Sequence, residues 1–177
     1  MHVGNYLALL RASERALAKG FAATAAHHSE DPDIATVSRR FARACEAHRA
    51  RLAPLRSRYG NKPPHLSDAI EVVALRATLF RGGRSGLLGA LRDVQDLWLL
   101  AHRTQLLALL LWQAGAALRD EELKSVCADL KEAADGQIAW LRTRVKEEGA
   151  QILIAALPAQ GSPVHRVRAW AGVVGVC

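Results

Sequence analysis

Cysteine, proline and aromatic residues are all scarce in this chain of 177 residues, and each scarcity excludes something. The three cysteines, Cys45, Cys127 and Cys177, have neither metal-knuckle nor disulfide-framework spacing. They fit a reducing compartment, with Cys45 and Cys127 as small buried residues, so the expected location is cytoplasmic. Aromatics make up 5% and β-branched residues are few, whereas Ala, Leu and Arg abound in a chain that is 50% hydrophobic. That balance favours an all-α protein. The N-terminus lacks a basic region followed by an apolar core and a cleavage site, so no signal peptide is expected. A clean apolar run long enough for lipid is missing too. The richest stretch, 97–118, contains His102, Arg103, Thr104, Gln105 and Gln113, too many polar groups for a lipid-exposed span. No Ser-His-Asp set is apparent. Cys45 and His48 lie one turn apart, but a thiol within an apolar stripe has a raised pKa and is inert. The glycine-rich segment 81–86 follows no strand and lacks a Gly-Lys-Ser/Thr ending, which excludes a nucleotide loop.

What the chain does have is helical periodicity, clearest between Asp93 and Val145. Trp98, Leu99, His102, Leu106, Leu109, Leu110 and Gln113 recur at steps of three or four. So do Leu123, Val126, Leu130, Ala134, Gln137, Leu141 and Val145. Each set falls on one helix face, expected to point inward. Long helices are predicted over 5–28, 32–58, 87–118 and 120–148, with Gly149 as the last stop and 152–157 packing across the end. Leu10, Glu14, Leu17, Phe21, Thr24 and His28 line the first helix. Ile34, Val37, Phe41, Cys45, His48, Leu52 and Leu55 line the second. Residues 29–33 break the chain and cap the second helix, and Pro54 is expected to kink or end its last turn. A short helix capped by Ser67 and Glu71 is predicted over 66–80. Residues 1–157 form one domain, followed by a basic tail, 158–177, expected to be disordered or partner-docking. The net charge of +7 is dispersed, as on a solvated helical surface; an anionic partner is the sharper alternative.

Three stretches carry a resemblance: Leu88 to Leu97, Gln113 to Leu123, and Gln137 to Leu141. On these the chain resembles the ferritin-like superfamily, in particular a branch of small bacterial ferritin-like proteins, over about residues 7–155. The resemblance implies a four-helix bundle with a long crossover, containing the short helix, between the second and third long helices. It also implies a two-metal site built from one Glu on each of two helices and Glu-x-x-His on the other two. Carried over by position, Glu14 and His48 match in type. Cys45 stands where the second helix should supply a bridging carboxylate, and Glu46 is off the stripe. The third helix offers His102 or Arg103. The fourth offers Ala134 to Gln137, with neither ligand kept.

Two readings of this inward set stay open. Glu14, His48 and His102, with Cys45 and Gln137, would suit one zinc or iron. Alternatively the site has decayed into a buried polar cluster in which an Arg neutralises Glu14. The expectation is therefore a non-catalytic ferritin-like accessory or interaction protein without a cofactor, homo-oligomeric through helix faces. The alternatives are a metal-binding redox or iron-handling protein, mononuclear or di-iron, and a DNA-binding one. His27 and His28, adjacent and about 100° apart on a helix, are read as unable to share a metal and as favourable against the helix dipole.

Overall fold

The computed structural model describes residues 2–60 and 86–155. Among them every regular element is an α-helix: α1 Val3–His27, α2 Pro32–Arg58, α3 Gly86–Leu118 and α4 Glu121–Ala155. The expected short helix 66–80, the tail 158–177 and Cys177 lie outside the described residues.

Local chemistry sets the helix ends. Asp31 caps α2: its carboxylate accepts from the amides of Asp33 and Ile34, both at 3.1 Å. Pro32 opens the first turn, where its missing N–H costs nothing. The α3–α4 turn is tighter. Arg119 takes φ of 56°, the left-handed conformation that closes a helix. The Asp120 amide then returns to the Gly115 carbonyl at 2.9 Å. Asp120 caps α4 through a 3.0 Å bond from the Leu123 amide. A Cβ on Gly115 would lie 2.9 Å from the Lys124 nitrogen, so only glycine lets α3 end this close to α4. Gly4 plays the same part where α1 begins, with the Tyr59 carbonyl 2.6 Å from its hypothetical Cβ.

All four helices feed two apolar clusters. One joins Leu7 and Leu10 of α1, Leu52 and Leu55 of α2, Leu107 and Leu111 of α3, and Leu123 and Leu130 of α4. The other joins Leu17 and Phe21, Cys45, Leu97 and Leu100, and Ile138 and Leu141. The first cluster gathers the start of α1, the end of α2, the end of α3 and the start of α4. Thus α1 is antiparallel to α2 and to α3, α3 is antiparallel to α4, and α2 and α3 run the same way. The closest pairings are α3 with α4 and α1 with α2, with α1 on α3 next.

Four expectations need correction. α4 does not stop at Gly149 but continues to Ala155. Gly149 is buried, and a Cβ there would meet Val145 and Leu91 at 3.7 and 3.9 Å. The residue serves helix packing rather than termination, and of the described residues 152–154 Ile152 alone is buried. Pro54 neither ends nor visibly interrupts α2, which runs four residues further. Pro54 is exposed, so the carbonyl it leaves unbonded faces water. Val145 is 36% exposed rather than inward.

The fourth correction concerns α3. The buried residues are Leu97, Leu100, Ala101, Thr104, Leu107, Ala108 and Leu111, whereas Trp98, Leu99, Leu106, Leu109 and Leu110 are 36–55% exposed. His102 is half-buried and Gln113 exposed. The helix carries apolar stripes on opposite sides, and periodicity alone fits either. Small side chains distinguish them: Ala101 and Ala108, one heptad apart, let neighbouring axes approach within roughly the 8–10 Å of packed helices.

Candidate functional site

The interior places two of the three expected ligands together. Glu14, 1% exposed on α1, faces His48 of α2, whose Nδ1 lies 3.3 Å from Oε1 and 3.4 Å from Oε2. Imidazole therefore meets the carboxylate at the position where an Arg was the expected partner. Cys45 and Gln137 complete the group, with the Gln137 amide donating to Sγ at 3.4 Å. Gln137 Oε1 is buried without a hydrogen-bond partner. Burial first, and the neighbouring Glu14 charge second, push the Cys45 thiol far above its ordinary range. It is no nucleophile at neutral pH. The Cys127 thiol is likewise pushed up to about 12, chiefly by burial.

His102 takes other partners. Its ring lies tilted against Trp98, with centroids 4.1 Å apart, and its Nδ1 lies 3.0 Å from the Trp98 carbonyl oxygen. The neighbouring interior polar contact belongs to Ser13 and Thr104, 2.7 Å apart. Thr104 spends its proton on the Leu100 carbonyl, so Ser13 is the donor. Glu46 stays off the inner face, as expected, and pairs with Arg49; Glu132 is exposed, and Asp135 pairs with Lys131. Among the described residues, no group of three or more His, Cys, Asp or Glu is arranged to hold a metal ion.

A second polar group was missed in the sequence. Asp93, fully buried on α3, receives both His27 Nδ1 at 3.3 Å and His28 Nε2 at 3.0 Å on one oxygen. The expected divergence of adjacent histidines fails because His28 lies beyond the helix, with φ of −120° and ψ of 43°. The 100° step holds only between helical residues. Asp93 could have been found from its spacing to Leu97, Leu100 and Thr104.

The largest concavity among those described lies outside, not in the core. A groove of about 430 Å³ is bounded by Gln95, Asp96, Trp98 and Leu99 of α3 and by Arg142 and Val145 of α4. A smaller one, about 240 Å³, lies on the other flank of α3, between Leu110, Leu111 and Ala114 and the start of α1 at His2, Val3 and Tyr6. Between them runs the exposed stripe. Among the α2 arginines, Arg49, Arg51 and Arg58 are in ion pairs, while Arg39, Arg40 and Arg43 are exposed. No described helix is long and apolar enough to cross a membrane. Comparison with known proteins finds no matching family model, curated protein or solved structure.

Proposed function

We propose that this chain is a non-catalytic interaction protein, a ferritin-like bundle that has lost most of its two-metal ligand set and works through the outer face of α3. One observation carries the proposal: five large apolar side chains on that face are 36–55% exposed, in a row flanked by two grooves. Scattered apolar residues on a surface need no explanation, but a contiguous row is the mark of a docking surface. The parallel course of α2 and α3 fits the crossover of a ferritin-like bundle, and among the described residues the group around His48 offers one carboxylate, Glu14, in place of several. The test is site-specific photocrosslinking in cells at native expression, with a photoreactive residue at Leu106 or, as control, at exposed Ala53. A discrete protein adduct from position 106 alone is expected; equal labelling, or none, contradicts the reading.

A second reading, a single zinc or iron on Glu14 and His48 with Gln137, has one observation in its favour: Gln137 Oε1 is a buried acceptor without a hydrogen-bond partner. Elemental analysis decides it. Near-stoichiometric metal lost in both Glu14→Ala and His48→Ala establishes that reading and removes the first.

A further inference from the structure

The outer face of α3 is a palindrome, and we infer that it pairs with the same face of a second copy, antiparallel, about a twofold axis level with Thr104. The inference rests on the docking reading above and names its partner. Trp98 and Leu110 stand six residues either side of position 104; Leu99 and Leu109 stand five; His102 and Leu106 stand two; Gln95 and Gln113 stand nine. At about 100° per residue these eight positions occupy a band about 120° wide. The pairs also lie symmetrically about the band's centre line. A twofold axis lying in the contact plane and normal to the helix inverts height and keeps the side: Trp98 of one copy comes level with Leu110 of the other, Leu99 with Leu109, and His102 with Leu106, each pair on opposite sides of the centre line so that the side chains interleave. Thr104 is fully buried and points inward, so no side chain blocks the axis.

Shape and charge agree. The groove beside Trp98 and Leu99 is level with Leu109 and Gln113 of the other copy, which supply side chains to fill it. Twofold contacts are isologous, so a filled groove on one copy is a filled groove on both. None of the eight positions is charged. A chain of net charge +7 can therefore meet itself here without placing like charges at the centre, where interfaces are depleted of charge. The five apolar side chains expose on the order of 400 Å², about half of what each partner buries in a stable interface. The polar positions of the band, Tyr6 and Val145 extend the contact from there.

Single-cysteine proteins test the register in the full-length chain carrying Cys177→Ser, so that Cys45 and Cys127, both buried, are the remaining thiols. His102→Cys and Leu106→Cys proteins are oxidised mildly, alone and as a mixture. A mixed disulfide dimer from the mixture, with little from either alone, is expected. In this pairing each introduced thiol is offset from its own copy by about 6 Å along the helix and from the other by none. Linkage of Leu106→Cys to itself, or no linkage at all, overturns the inference. Sedimentation of wild type and Leu106→Glu separates the causes of failure. A monomeric wild type whose Leu106→Glu variant melts at the same temperature rejects the second copy but leaves the face open to another protein. A monomeric wild type whose variant melts well below it shows that the chain covers this face itself, through residues 61–85 or the tail, and rejects the docking reading as well. A dimeric wild type with a helical, monomeric Leu106→Glu supports the inference.

Discussion

The two faces of α3 are almost equally apolar, yet one is enclosed by neighbouring helices and the other is open among the described residues. The inner face alternates large and small side chains, Leu97, Leu100, Ala101, Thr104, Leu107 and Ala108, and all of them are buried. The outer face is built of large residues only, Trp98, Leu99, Leu106, Leu109 and Leu110, and none is buried. Apolar character is thus common to both stripes, and side-chain size separates the face that packs within a chain from the one that remains. A helix apolar all round belongs in the middle of something larger. Here the four helices supply only half of that surrounding.

The sharpest way to break this contrast is to truncate a leucine on each side. Leu97→Ala, at a fully buried position, is expected to cost about 2–5 kcal/mol in denaturant unfolding followed by helical circular dichroism. Asp93→Ala comes next. Removing a buried carboxylate that meets two histidines leaves their ring nitrogens without that partner, at about 1–3 kcal/mol, read in the same titration at neutral pH.

The turn that ends α3 sharpens the contrast from outside both faces. Asp120 caps α4 and also receives the Tyr59 hydroxyl and the Arg58 guanidinium, tying α2 to the α3–α4 turn. Asp120→Ala is expected to cost about 1–2 kcal/mol at pH 7. The Leu123 amide, then the Tyr59 hydroxyl, hold the Asp120 carboxyl below its ordinary value of 3.8. A folded pKa below the unfolded one contributes stability that is complete above pH 3.8 and lost as pH falls through the folded value. The gap between wild type and Asp120→Ala should therefore narrow only under strong acid. A constant gap from pH 7 to pH 2 would reject this assignment. The smallest effect belongs to the outer face: Leu106→Ala, in dilute protein, is expected to change stability by no more than about 0.5 kcal/mol. A loss comparable to that of Leu97→Ala would show that the face is covered within the chain.

Much of the fold was legible because its signals are local. The start of α2 follows from Asp31 and Pro32. Glu14, Cys45, Leu130, Ala134 and Gln137 lie inside, as their spacing required. What escaped depends on neighbours. Two stripes on α3 share one periodicity, and only packing against α1 and α4 selects between them. Gly149 reads as a stop by residue type, but the approach of Leu91 gives it an interior use. Adjacent histidines diverge on a helix, yet His28 has left the helix and so converges with His27 on Asp93. Within the candidate interior site, the meeting of Glu14 and His48 was legible from their stripes. The departure of His102 was not, because its assignment followed from taking the outer face of α3 for the inner.

The most direct test of the outer face is the melting temperature of wild type and Leu106→Glu across a hundredfold range of protein concentration. A ligand that binds only the folded state raises the melting temperature as its concentration rises, and a second copy is such a ligand. The wild-type value is expected to climb with concentration, while Leu106→Glu stays flat and meets the wild type at the dilute end. A wild-type value independent of concentration, with Leu106→Glu far below it throughout, would contradict the assignment of this face to a partner.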